Sequence, residues 1–438
     1  MDDLFQHLTG PDAFRRVVEA NSPVDHRGRY LHWEDMRVRK PPSGISLEEW
    51  WLGTKMARSA SERTLPFKSV NGEFFKFSNI DLIQEAVHRI DQQASGRILA
   101  DDVAINLRSS DRYLVSSIVE EAITSSQLEG ASTTRRVAKE MLASGRKPRD
   151  RSETMIVNNF QAMLFSQSIH EQALSSDEVL ELHRILTEGT LENPEAAGRL
   201  QAPEDKRVGV YWGQEELLLH QPPKAQELPV RLDNLCRFAN GELDTRFIHP
   251  VVKAIIVHFC LAYDHPFEDG NGRTARALFY WSLLHDGYWL AQYISISSIL
   301  NKAPAKYAMS YLYTESDDYD LTYFIVYQLG VIERAITSLY KYLARKIAET
   351  RQVEALIHDS SNLNHRQIAV LQHALRDPGE SFTIAAHRRM HRVTYETARS
   401  DLLRLEDMEL LVKSRAGKTF VFRSPKNLED RLRSLTAH

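Results

Sequence analysis

A base, a hard-cation ligand, an amide and two guanidinium groups fall within one short stretch: His265, Asp269, Asn271, Arg273 and Arg276. The string is His265-Pro266-Phe267-Glu268-Asp269-Gly270-Asn271-Gly272-Arg273-Thr274-Ala275-Arg276. These are the parts needed to move a phosphate-linked group: a proton acceptor for an incoming hydroxyl, an oxygen ligand for magnesium, and donors for spread negative charge. Gly270 and Gly272 allow backbone geometry closed to residues with side chains, so successive N–H groups can point at one anion.

Two apolar helical segments must hold this stretch. Val251 to Tyr263 precedes it, and Pro266 ends that helix by removing a donor and restricting the residue before it. A second helix is expected from Thr274, with Ala277 to His285 packing back on the first. Its unpaired first N–H groups would add to the same positive pole. Further upstream, Leu114 to Gly130 has helical apolar spacing and carries Ser125-Ser126-Gln127-Leu128-Glu129-Gly130 at its end. Glu129 lies at the negative pole of that helix, where a carboxylate is unfavourable unless something positive meets it.

Length and composition bound the rest. The 438 residues allow about three units at roughly 150 residues each, and 42% apolar with 26% charged residues is ordinary for globular chains. A net charge of −4 argues neither for nucleic acid nor for a membrane surface. Cys236 and Cys260 read as core filler, the acidic start lacks a signal-peptide pattern, and no apolar run approaches the roughly 18 residues of a spanning helix. A cytoplasmic location without membrane partners is expected. There is no GxxxxGK[ST] loop, and no second histidine or cysteine at zinc-ligand spacing beside His265.

The remaining chain reads as mainly α. Residues 1–78 mix short helical patterns with loops, with Trp50-Trp51 anchoring this arm. Helices are expected over Asn79–Ser95, Ser152–Gln167, Ser176–Glu188, Leu228–Ala239 and Leu321–Ala355. Between 198 and 223, short β-rich runs around Gly213 predict a hairpin. The polar stretch His358–Asn364 marks a domain boundary, giving a core over 79–356 and a last domain over 361–438. That domain has helices at Arg366–Leu375, Ile384–Met390 and Tyr395–Leu405, then two strand-like runs around Arg415–Lys418.

The central string resembles the Fic motif, HPFx[DE]GN[GK]RxxR, at every specified position. Ser125 and Glu129 likewise resemble the [ST]xxxE[GN] motif of Fic inhibitory helices. The resemblance implies a helical Fic core with a small β-hairpin flap (198–223), an inhibitory helix (114–130) and a catalytic loop (265–276). It implies a protein adenylyltransferase that moves AMP from ATP to a Ser, Thr or Tyr hydroxyl of a target protein, or of itself. In that scheme His265 is the base, Asp269 holds Mg2+, and Gly270, Asn271 and Gly272 form the anion hole. Arg273, Thr274 and Ala275 complete the nucleotide loop, Arg276 reaches the γ-phosphate, and Tyr307 lies near the adenine. Glu129 would pair with Arg276 and occupy the γ-phosphate's place. The same residues could instead remove AMP, with Glu129 orienting water. Pairing of chains is common in the family, so a homodimer is expected.

The order of elements in 361–438 resembles a winged helix-turn-helix. It would present Arg392, Thr394, Tyr395, Arg399 and Arg404 to the DNA major groove. The domain is only mildly basic, so DNA and a protein-binding or regulatory role stand side by side as expectations, and a DNA-binding regulator with a nucleotide-sensing Fic domain is the alternative of a different class.

Overall fold

The computed structural model describes residues 12–94, 107–212, 217–243, 246–359, 363–376, 381–416, 419–425 and 427–435. The chain divides into two compact units, Met1–Leu339 and Tyr340–His438.

The first unit begins with α1 (Ala13–Glu19), α2 (Trp33–Met36) and α3 (Leu47–Ser59). Ser46 and Glu49 form a reciprocal capping box that fixes the start of α3. Trp50 and Trp51 are buried with Ala20, Leu31 and Met36 in a cluster of their own. The arm is not purely helical, as its sequence suggested. An antiparallel hairpin follows, β1 (Glu62–Lys68) and β2 (Phe74–Ser78), with Leu65, Phe67, Phe75 and Phe77 buried. Its register shifts between Thr64 and Lys68, the stretch containing Pro66, which cannot donate to the ladder. That interruption hides the strand's alternation. The arm is joined to the body through charge: Lys55 Nζ lies 2.7 Å from Asp317, and Arg58 donates to the Tyr323 hydroxyl at 2.7 Å.

The body is helical: α4 (Asp81–Ala94), α5 (Leu107–Leu128), α6 (Arg135–Ser144), α7 (Arg151–Ser168) and α8 (Ser176–Thr187). A second hairpin, β3 (Val210–Trp212) with β4 (Leu217–His220), follows at the expected place. Next come α9 (Leu228–Ala239), α10 (Pro250–Asp264), α11 (Asn271–His285), α12 (Ser297–Leu300), α13 (Pro304–Ser316) and α14 (Thr322–Asp359). Pro250 occupies the first turn of α10, where its missing N–H is harmless. From Val251 to Tyr263 nearly every side chain of α10 is buried, which makes it the central rod. α11 packs along it, α7 and α8 cover α11, and α5 lies on α7.

The division falls inside α14, between Leu339 and Tyr340, and not at His358–Asn364. Tyr323, Phe324, Ile325, Leu329, Ile332 and Ile336 bury the start of α14 in the first unit. Packing, not the helix end, sets the boundary. Residues 360–362 of that polar stretch lie outside the described residues.

The second unit continues with α15 (His365–Arg376), β5 (Ser381–Thr383), α16 (Ile384–His391), α17 (Tyr395–Asp407), β6 (Val412–Ala416), β7 (Thr419–Arg423) and α18 (Leu428–Leu435). Its sheet has the order β5-β7-β6 and is antiparallel throughout. The short β5, paired only at Ser381–Thr383, has no counterpart in the sequence reading. Leu371, Leu402, Leu405, Leu410 and Phe422 form its core. Asp401 of α17 faces inward and ties three helices together, accepting from Arg366, Asn364 and His387.

Candidate active site

The loop between α10 and α11 is built by backbone constraint. α10 closes at Asp264, and His265 follows in the left-handed region with φ 46°. A non-glycine residue there is uncommon and signals a constraint from outside. Arg207 provides one: its two Nη atoms donate to the carbonyls of Asp264 (2.9 Å) and His265 (3.1 Å), meeting the negative end of α10. Gly270 adopts φ 85° as the cap of α11. A side chain there would collide with Thr187 Cγ2 at 2.7 Å. Thr274 then donates through both N and Oγ1 to the Gly270 carbonyl, each at 2.9 Å. The second helix therefore starts at Asn271 and not at Thr274, because the glycine cap lets helical geometry begin at once.

Asn271 does not offer its amide to a ligand. Its Oδ1 accepts from Phe267 N at 2.9 Å and its Nδ2 donates to Phe267 O at 2.8 Å, stapling the loop. Any anion site here rests on backbone N–H groups. Ala275 is fully buried and serves packing.

The His265 ring lines a cavity of about 180 Å³ that also touches Glu129, Gly272, Arg276, Tyr307 and Tyr311. Burial pushes its pKa down to about 4, so the imidazole is neutral at neutral pH. Nδ1 lies 3.4 Å from the Ala262 carbonyl, an acceptor. The proton therefore belongs on Nδ1, and Nε2 carries the free lone pair.

Arg276 is buried, and three of its hydrogen bonds go to α5 and the residue beyond it. Nε donates to Ser125 Oγ at 2.8 Å, and Nη2 to the Ser125 carbonyl at 3.1 Å and to Glu129 Oε1 at 2.8 Å. Burial opposes its charge most, but Glu129 together with Tyr307 and Glu121 outweighs it and raises the pKa. The same Oε1 would lie 2.2 Å from a Cβ placed on Gly272. The carboxylate thus rests directly on the start of α11, where the helix presents unpaired N–H groups. The structure brings Ser125, Glu129, Gly272 and Arg276 together around one acceptor position.

Arg273 points the other way. Nη1 donates to the Leu186 carbonyl at 2.9 Å, while Nε and Nη2 are buried without a hydrogen-bond acceptor. Nη2 has only a looser ion pair, 3.5 Å from Asp269 Oδ1. Buried guanidinium donors left open are costly unless an anion completes them.

Among the described residues no group of three or more His, Cys, Asp or Glu could hold a metal alone. Asp269 is a single, half-exposed carboxylate. A lone carboxylate fits Mg2+ when substrate phosphates provide the other oxygens, and the open Arg273 donors fit those phosphates.

Tyr307 does line the cavity, but its hydroxyl is taken by His258 Nε2 (2.8 Å) and Tyr311 OH (3.1 Å), so it offers the ring wall. Residues of the site not foreseen include His183. Its Nε2 donates to the Asp269 carbonyl at 2.8 Å, its Nδ1 accepts from Gly198 N at 3.0 Å, and its ring stacks on Phe267 at 3.7 Å. Burial lowers its pKa to about 4, consistent with this neutral form. In sequence it is an ordinary inward histidine of an amphipathic helix. His220 at the end of β4 contacts the Tyr263 carbonyl at 2.7 Å and Glu315 at 3.0 Å, anchoring the hairpin beside the cavity.

In the second unit, Arg392, Thr394, Tyr395, Arg399 and Arg404 are exposed on or before α17. Thr394 caps that helix, and Arg399 lies 3.5 Å from Glu396. No helix among the described residues is long and apolar enough to cross a membrane.

Residues 173–283 match the Fic/DOC family model. The protein adenylyltransferase Fic of Drosophila ananassae is 32% identical over 120 residues, covering 27% of this chain and 22% of that protein. The protein adenylyltransferase fic-1 of Caenorhabditis elegans is 32% identical over 115 residues, 26% of this chain and 20% of that one. The chain spans about a fifth of the length of these curated relatives. A crystal structure of a Fic family protein from Desulfovibrio desulfuricans G20 shares the fold at TM-score 0.53 and 17% identity, covering 80% of this chain and 98% of that chain. Ser125 and Glu129 lie outside the matched residues, whereas the whole loop from His265 to Arg276 lies within them. Over residues 173–283, then, the chain carries a region of the Fic/DOC type.

Proposed function

We propose that the chain is a protein adenylyltransferase held in check by Glu129. The observation that carries this reading is the seat of the Glu129 carboxylate, on the N-terminus of α11 at Gly272 and 2.8 Å from Arg276. A carboxylate there takes the place that a phosphate oxygen would take.

In the active arrangement the triphosphate of ATP lies over the α11 N-terminus, with Arg273 and Arg276 donating to it. Nε2 of His265 takes the proton of a target Ser, Thr or Tyr hydroxyl as its oxygen attacks the α-phosphorus. The bond from that phosphorus to the bridging oxygen breaks, AMP remains on the target, and pyrophosphate leaves with the bond's electron pair. Backbone N–H groups at Gly270 to Gly272 and the arginines steady the charge growing on the phosphoryl oxygens. Asp269 would hold Mg2+, which would offset phosphate charge when bound. The hairpin of β3 and β4 is the place for an extended target segment to add as a strand. With Glu129 seated, Arg276 is unavailable to the γ-phosphate and ATP is not aligned for attack.

A second reading keeps this geometry. Glu129 and His265 line one cavity, so the carboxylate could orient a water for removal of AMP from a modified protein. The second unit, read as a winged helix-turn-helix, would add DNA through its exposed arginines, and a homodimer is a further expected partner. Labelled ATP tests the first reading. The Glu129→Gly chain should label itself or proteins in a cell extract, and adding His265→Ala should abolish the label. If instead the unsubstituted chain releases AMP from a modified target while Glu129→Gly never transfers it, the second reading replaces the first.

A further inference from the structure

Asp269 does not meet the solvent alone. Its Oδ2 accepts from Arg151 Nη2 at 3.1 Å, on the side away from Arg273. Arg151 is the first residue of α7, and its Nε donates to the Thr190 carbonyl at 2.8 Å. Those two bonds fix the guanidinium with one edge on the chain and the other on the carboxylate. Both partners are well exposed, Arg151 by 60% and Asp269 by 38%. A pair this wet contributes little to stability. Its consequence lies in where it keeps a positive charge.

Building on the nucleotide reading above, we propose that Arg151 is a further phosphate-binding residue, contacting the outer phosphates of the bound nucleotide and the pyrophosphate that departs. Distance supports this. Oxygens on one magnesium ion sit about 2.1 Å from it, so a phosphate oxygen sharing the ion with Asp269 lies within about 4 Å of that carboxylate. Arg151 Nη2 is already 3.1 Å from Asp269, so a modest turn of the side chain moves it from one oxygen to the other. Charge supports it as well. Asp269 lies between two guanidinium groups, at 3.1 and 3.5 Å, and a divalent cation can join them only with an anion that offsets the added charge. A polyphosphate is such an anion, and the planar fork of arginine suits its oxygens. AMP lacks the outer phosphates and gives Arg151 nothing to hold.

Titration calorimetry on the full chain carrying Glu129→Gly, with Arg151, Arg151→Ala or Arg151→Lys, would test this with AMP, ADP and inorganic pyrophosphate, each with MgCl2. Arg151→Ala should weaken ADP and pyrophosphate about tenfold while AMP changes less than twofold, and lysine should restore only part of the loss. Equal melting temperatures of the three chains exclude a folding defect. Equal weakening of AMP and ADP, or no weakening of either, would overturn the role of Arg151 alone. If the Arg151 chain bound none of the three, the nucleotide reading itself would fall with it.

Discussion

Replacing Gly272 by alanine should change sign with its background. Gly272 is the second residue of α11, and its φ lies outside the left-handed region, so alanine fits the backbone. Helix propensity alone favours the alanine by about 0.5–1 kcal/mol. The added Cβ meets Glu129 Oε1 at 2.2 Å and Arg276 Nη1 at 3.0 Å. The first is impossible without movement, and the carboxylate is the part that can swing away; the second needs a shift of a few tenths of an ångström. Glu129 then loses its 2.8 Å bond to a buried guanidinium, a loss of about 1.5–3 kcal/mol for charge-assisted bonds. The Glu129 side chain is 28% exposed, so water recovers part of that. The net expectation is destabilisation by about 1 kcal/mol in the unsubstituted chain. With Glu129→Gly the obstacle is absent, and the same substitution should stabilise by up to about 1 kcal/mol. A double-mutant cycle of urea-unfolding midpoints reads this directly. The same shift in both backgrounds would refute the placement of Glu129 on the α11 N-terminus.

Three further outcomes follow. Since burial holds His265 near 4 and its working form is the neutral ring, AMP transfer by Glu129→Gly should persist below the ordinary histidine range and fail only as pH approaches that value; a pH-rate profile whose acid limb lies at 6.5 or above would contradict it, and His265→Ala should lower the rate at least about 100-fold. In the second unit, burial opposes the Asp401 charge but Arg366, Asn364 and His387 outweigh it, holding the carboxyl to about 2. A depressed carboxyl stabilises the folded state above its unfolded pKa of about 4 and loses that contribution as pH falls through 2. Asp401→Asn should cost this unit about 3 kcal/mol at pH 7, read as faster hydrogen exchange in α15 and α17 of the full chain.

Much of the site was legible because it is local. Pro266, the two glycines and the charged residues after them fix a helix end, a turn and a helix start within one string. Glu129 was legible through the resemblance of its string to the [ST]xxxE[GN] motif; its place at the negative end of its own helix added only that something positive should meet it. What escaped were partners set by the tertiary fold. Nothing near Asn271 shows that its amide is consumed by Phe267, and nothing near His183 shows that it holds Asp269's carbonyl. Arg151 stands far from Asp269 in sequence, and only the packing of α7 beside the loop brings them together. The β1–β2 hairpin was hidden by Pro66, which breaks the pairing where alternation would otherwise have been read. The end of the first unit was misplaced because α14 continues unbroken past the last residue packed on that core.

The most direct measurement is the intact mass of the Glu129→Gly chain after incubation with ATP and magnesium, alone and with cell extract, beside the Glu129→Gly, His265→Ala chain. A mass gain of one AMP on the chain or on an extract protein, absent from the doubly substituted sample, is the expected result. No AMP on any protein, with the variant folded and able to bind ATP, would contradict the claim that the loop from His265 to Arg276 is a nucleotidyl-transfer site restrained by Glu129.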